Sequence, residues 1–143
     1  MAQAAEESGW GTSRFAAEGN ALFGQWAWSG QRIRPAQQRG QLGDYGIAAF
    51  EAPLQSVVAY VRNLNTHAAY AQLRARRAEL LESGSSVSGW VLAETLTRYS
   101  ERGQEYVDTL HTIMRVNRLE ATDEAYLNGG RSIFLVPVDP PSQ

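Results

Sequence analysis

Two adjacent carboxylates, Glu6 and Glu7, stand near the start of the chain, just before Ser8-Gly9-Trp10-Gly11. Ala, Gln and Glu before them are good helix formers. Gly9 can take the left-handed conformation that ends a helix without a Cβ penalty. The acids therefore sit at the last turn of a short helix, at the rim of whatever lies next. Successive helical side chains point about 100° apart, so only one of the two can face a given cleft. A negative charge at a helix C-terminus is mildly disfavoured by the macrodipole. Solvated surface acid is the ordinary role for such a residue. The chemical alternative is a carboxyl desolvated beside Trp10, with its pKa raised, which a general acid at neutral pH requires. Glu7 is the candidate for that role, with Trp10 shielding it.

The surrounding residues add a resemblance. Ala2-Gln3-Ala4-Ala5-Glu6-Glu7-Ser8-Gly9-Trp10-Gly11-Thr12-Ser13 resembles the catalytic helix of the glucosaminidase family of peptidoglycan hydrolases (mannosyl-glycoprotein endo-β-N-acetylglucosaminidase-like domains). Asn20-Ala21-Leu22-Phe23-Gly24 is similar to that family's second motif. Asn63-Leu64-Asn65-Thr66-His67-Ala68-Ala69-Tyr70 resembles the Bax-type branch, and Tyr99-Ser100 through Tyr106 resembles the final motif, a tyrosine pair. The four motifs occur in the family's order across residues 2–119. Glu6 stands where many relatives carry an apolar residue, and Gln25-Trp26 replaces an apolar–Lys pair. Both departures suit the Bax-type branch, leave the acid intact and bear on subsite preference.

The resemblance implies a mainly α (α+β) fold, a lysozyme-like helical domain with a small β-hairpin lobe, over residues 1–127, with 128–143 as a C-terminal tail. It implies hydrolysis of β-1,4 bonds in peptidoglycan glycan strands, on the N-acetylglucosaminyl side, by a monomer in the periplasm or cell envelope. The chain opens inside the catalytic helix, so the resemblance also implies further helical turns upstream and an export signal outside this sequence. Lytic transglycosylase or muramidase action, a glycan-binding module without turnover, and an all-helical interaction domain are the competing readings. Transglycosylases of lysozyme-like fold generally pair their Glu with a Gly-Leu-Met-Gln type segment, where this chain has Leu22-Phe23-Gly24.

Glycoside hydrolysis needs an acid for the leaving oxygen and a second group that activates water or stabilises the oxocarbenium-like state. In an inverting enzyme that second group is a carboxylate about 6.5–9.5 Å from the acid. Asp44, the one acid in the loop before Tyr45, is the candidate, with Glu51 in reserve. The other route is attack by the substrate's own 2-acetamido group, oriented by a tyrosine hydroxyl; the resemblance points to Tyr99, with Tyr106 beside it. Apolar sugar faces pack on aromatic rings while polar atoms fix the hydroxyls. Trp10, Phe23, Gln25, Trp26, Tyr60 and Tyr106 are the candidate substrate-binding residues.

These residues must be positioned by the rest of the chain. Its 143 residues suit one domain, and 43% hydrophobic residues are enough for a compact core. No run approaches the about 20 apolar residues of a membrane span. The net charge of −2 gives no argument for nucleic acid. All 13 basic residues are Arg. There is no Cys, and two His alone do not make a metal site, so neither metal nor cofactor is expected.

Thr12 or Ser13 should cap a helix over Ser13–Glu18, ended by Gly19. Leu22–Trp28 and Tyr45–Phe50 read as two strands of a hairpin around a mobile loop, Gln31–Gly43. Pro53 opens a helix whose apolar stripe, Leu54, Val57, Val58, Val61 and Leu64, is expected to face inward. Asn65 or Thr66 should cap a helix over Ala68–Ser83, whose Arg74, Arg76 and Arg77 read as a solvated face. Ser86 or Ser88 should cap Gly89–Tyr99. Gln104–Asn117 is amphipathic, Thr122–Leu127 reads as a last short helix, and Ile133–Val138 as an extended tail.

Overall fold

The fold is described from a computed structural model, in which residues 1–125 are described. It is mainly α with a small antiparallel sheet, as the sequence leads one to expect. The helices are α1 (Ala2–Ser8), α2 (Arg14–Gly19), α3 (Pro53–Thr66), α4 (Ala71–Glu82), α5 (Gly89–Ala93) and α6 (Gln104–Val116). Single 3₁₀ turns lie at Gly40–Leu42, Ala68–Tyr70 and Leu119–Thr122. The expected helix Thr122–Leu127 does not start at Thr122: the 3₁₀ turn Leu119–Thr122 ends there, and residues 123–125 follow without helix. Residues 126–127 and the tail Ile133–Val138 lie outside the described residues.

Local signals explain three of the six helix starts. The Ser13 side chain accepts from the Ala16 amide and the Ser88 side chain from the Trp90 amide, each satisfying an orphan donor of the first turn. Pro53 occupies the first turn of α3. Asn65 and Thr66 do not cap the next helix. Their side chains bond back to the Val61 and Arg62 carbonyls, and His67 Nδ1 takes the Ala69 amide instead. Arg74 seals the same corner, donating to the Leu64 and His67 carbonyls at 2.9 Å each. Gly89–Tyr99 is helical only to Ala93 and continues as turns.

The core forms where α1 and α5 pack on α6. Ala2, Tyr70, Leu73, Ala93, Leu96, Tyr106 and Leu110 make one buried cluster. Burying a side chain such as Leu110 contributes about 1.5–3 kcal/mol.

The lobe is a three-stranded sheet rather than a hairpin. β1 (Trp26–Ala27), β2 (Arg32–Ile33) and β3 (Gly46–Ala48) run in the order β1-β3-β2, with Trp26 and Ile33 both opposite Ile47. β2 lies in the stretch expected as loop. Its polar neighbours hide the strand, but Ile33 packs against Gly19 of α2. The lobe's two ends are joined by Phe50 N–H donating to the Gly19 carbonyl at 2.8 Å and Asn20 Nδ2 donating to the Phe50 carbonyl at 2.9 Å.

The stripe on α3 is a correction. Leu54, Val57, Val58 and Val61 are exposed, Leu54 at 70%. The inward face carries Ser56, Tyr60 and Asn63 instead, again at helical spacing. Ser56 is fully buried because its hydroxyl takes the Leu22 amide at 3.1 Å, and Tyr60 stacks on Phe23. This helix backs a polar cleft, so its inner face is not its most apolar one.

Candidate active site

Glu7 reaches the cleft because α1 stops where it does. Gly9 is left-handed (φ 57°, ψ 51°) and its N–H returns to the Ala5 carbonyl. Ser8 is buried and its Oγ takes the Gly11 amide at 2.8 Å, which fixes the turn. Glu6 and Glu7 then diverge, as helix geometry requires. Glu6 pairs with Arg102, while Glu7 enters the wall of a cleft of about 800 Å³.

The lobe closes on Glu7 from one side. Gly24 has φ +55°, and a Cβ built there lies 2.9 Å from Glu7 Oε2. α6 supports the other side, where the Tyr106 hydroxyl faces the Glu7 carboxyl, near enough to act on its pKa. Burial pushes the Glu7 pKa above its ordinary value. The Tyr106 hydroxyl opposes this, the neighbouring Glu6 charge adds to it, and Arg102 opposes it.

An aromatic group surrounds the acid. Phe23 and Tyr60 stack at 3.9 Å and 8°, and Tyr99 lies parallel to Tyr106 at 5.6 Å. Tyr70 lies 5.8 Å from Tyr99. The Tyr60, Tyr70, Tyr99 and Tyr106 hydroxyls are all pushed up, first by burial, and each feels the Glu7 charge. They remain protonated donors. Nearer solvent, Trp26 and Trp28 meet edge-on at 6.1 Å, and both line the cleft. Gln25 lines it too; its Oε1 is buried without a hydrogen-bond partner among the described residues. Among those residues no group of acids and histidines could hold a metal ion.

Of the residues singled out from sequence, Glu7, Phe23, Gln25, Trp26 and Tyr99 come together on the cleft wall. Tyr106 lies directly behind Glu7, 1% exposed. Tyr60 lies behind Phe23, its hydroxyl turned away to the Gln3 amide. The Tyr99 hydroxyl is engaged, donating to the Phe23 carbonyl at 3.0 Å. Two candidates stand elsewhere. Trp10 is 62% exposed on the far side of the Gly9 turn, over an apolar depression with Ala4, Ala5, Leu22 and Ile113. A left-handed Trp10 (φ 57°) carries the chain away from the cleft, so Phe23, Gly24 and the tyrosines shield Glu7 in its place. Asp44 is not on the cleft wall. Its exposed carboxylate is held by Arg32 at 2.9 Å and Arg34 at 3.1 Å, and these guanidiniums, Arg34 foremost, keep its pKa below the usual range. Glu51 is also off the wall.

The cleft recruits residues that sequence reasoning left unassigned: Asn63, His67, Tyr70, Arg98 and Arg102. Three of them belong to the stretch Asn63–Tyr70, which was set apart only by its resemblance.

The glucosaminidase family, described as mannosyl-glycoprotein endo-beta-N-acetylglucosaminidase, matches residues 1–129. Protein bax of Escherichia coli (strain K12) is 37% identical over 115 residues, covering 80% of this chain. The matched stretch spans only 40% of that relative's own length. No solved structure matches the chain. By motif order and family match over nearly its whole described length, the chain belongs to the glucosaminidase family.

Proposed function

We propose that residues 1–127 form a peptidoglycan hydrolase unit that cuts β-1,4 bonds on the N-acetylglucosaminyl side, with Glu7 as general acid. The observation carrying this reading is Glu7 itself: a carboxyl whose pKa burial pushes above its ordinary value, in the wall of a tryptophan-lined cleft large enough for sugar rings. Family membership supports a glycan-acting protein, and a peptidoglycan substrate is consistent with the periplasm or cell envelope. Among the described residues no helix is long and apolar enough to cross a membrane.

In this reading the protonated Glu7 gives its proton to the glycosidic oxygen as the C1–O bond breaks. Trp26 and Trp28 pack on the sugar faces, and the Gln25 carbonyl oxygen accepts from a sugar hydroxyl or amide N–H. The 2-acetamido oxygen of the substrate attacks C1 and supplies the electron pair. Water then opens that intermediate, and the Glu7 carboxylate takes the water's proton back. This route needs no second carboxylate on the wall. Asp44→Asn is accordingly expected to lower the rate of glycan cleavage by less than about 3-fold, because an exposed, doubly paired carboxylate is a poor base. A loss of about 100-fold would restore Asp44 as the water-activating base and make the mechanism inverting.

Digestion of purified sacculi followed by mass spectrometry tests the function. Fragments ending in reducing N-acetylglucosamine are expected. Anhydro ends would mean transglycosylation, and reducing N-acetylmuramic acid would mean muramidase action. Binding without any released fragment would make the chain a glycan-binding module.

A further inference from the structure

Gln3 lies four residues before Glu7, so the two share one face of α1. It is 6% exposed, a primary amide placed among tyrosines where an apolar residue would pack. Both ends of the amide are used. Oε1 accepts from the Tyr60 hydroxyl of α3, and Nε2 donates to the Tyr106 hydroxyl of α6 at 3.1 Å. A tyrosine hydroxyl has one proton, and an ionised carboxylate only accepts. With its oxygen already receiving the Gln3 N–H, Tyr106 has its own proton left for Glu7. The chain of donors then runs one way, from Tyr60 through Gln3 and Tyr106 to Glu7.

We propose that Gln3 is a positioning residue for the acid: it bridges α3 and α6 and fixes the Tyr106 O–H toward the Glu7 carboxyl, so that the carboxyl stays turned into the cleft. Nothing in Gln3 touches substrate; it acts through Tyr106. Hydrogen bonds linked in series strengthen one another at low dielectric, so an amide donating to Tyr106 makes its O–H a better donor. The charged and titratable groups facing Glu7 are Glu6 on α1, Arg102 before α6, Tyr106 on α6, and the Tyr60, Tyr70 and Tyr99 hydroxyls, which all feel its charge. Of these, Gln3 bonds the Tyr60 and Tyr106 hydroxyls, and only Tyr106 acts on Glu7 as a hydrogen-bonding group. That contact favours the ionised form of Glu7, so weakening it lets burial raise the pKa further.

The inference rests on the acid role proposed for Glu7, but its main readout does not need turnover. Carbon-13 NMR of the glutamate side-chain carboxyls in the 143-residue chain, with Glu7 assigned from Glu7→Gln, gives its midpoint directly. Tyr106→Phe should move that midpoint up, and Gln3→Met should move it the same way by less. The double variant should match Tyr106→Phe alone. Tyr60→Phe, which keeps ring shape and removes only the first donor, should give the smallest upward move and covers the case in which Gln3→Met fails to fold. On sacculi, Gln3→Met should lower kcat by roughly 10-fold with KM unchanged, since the lost contact is to the acid and not to the sugar. The proposal is overturned if both Gln3→Met and Tyr60→Phe leave the Glu7 midpoint at the wild-type value, or if the Gln3 and Tyr106 effects add. Should the midpoints move as expected while wild type releases no glycan fragment, the enzyme reading falls and the positioning role stands.

Discussion

Glu7→Gln should eliminate fragment release from sacculi, by about 10³-fold or more, while the protein folds and still binds glycan. The amide keeps the shape and can accept from Tyr106, so the cleft wall is preserved; what disappears is the transferable proton. Retention of more than a tenth of the wild-type rate would sink the general-acid role. The same variant carries a stability signature. The folded pKa of Glu7 lies above its ordinary value of 4.5, with burial as the leading cause. A raised carboxyl pKa contributes stability that is fully present below the unfolded-state pKa and is lost as pH rises through the folded one. Wild type should therefore lose stability from about pH 4.5 upward relative to Glu7→Gln, which does not titrate. Thermal melts at pH 4 and pH 8 check the sign: the variant's Tm should gain on wild type at the higher pH.

Gly24→Ala should lower turnover by about 100-fold and melt a few degrees below wild type. Two causes act together. The backbone at Gly24 has φ +55°, where an L side chain costs roughly 1–2 kcal/mol. The new Cβ would also lie 2.9 Å from Glu7 Oε2, and one of the two must shift. A displacement of about 1 Å at a reacting group can cost about 100-fold in rate. Gly84→Ala separates the causes. That glycine also has positive φ (70°), but nothing lies within 4 Å of a Cβ there, and it sits in the loop after α4. It should lose stability yet keep wild-type kcat. Equal loss of activity in both variants would mean that Gly24 matters only through folding.

Features governed by near neighbours in the chain were legible from the residue order. The bounds of α1, the Ser13 cap, Pro53 at the start of α3 and the amphipathic α6 follow from caps, glycine stops and 3.6-residue spacing. The divergence of Glu6 and Glu7 also follows, because adjacent helical side chains cannot share a direction. The motif resemblance identified the family and pointed to Phe23 and Tyr99, while the aromatic run of the lobe pointed to Trp26. β2 was not legible: a two-residue strand in a polar stretch carries no alternation to detect, and it exists because β3 and α2 are there to receive it. The Trp10 placement failed for a related reason. Proximity in sequence suggested contact with Glu7, but a left-handed residue reverses the chain direction.

What the sequence by itself determined is therefore local: helix ends, the turn after Ser8, and a carboxyl at the last turn of α1. The tertiary structure decided which side of α3 is inside, what shields Glu7, where Asp44's charge is satisfied, and the path of the Gln3 hydrogen bonds. Those outcomes depend on groups far apart in the chain, such as Gln3 and Tyr106, separated by 103 positions. Their energies arise only when burial removes water from both partners, and no periodicity within one segment records that.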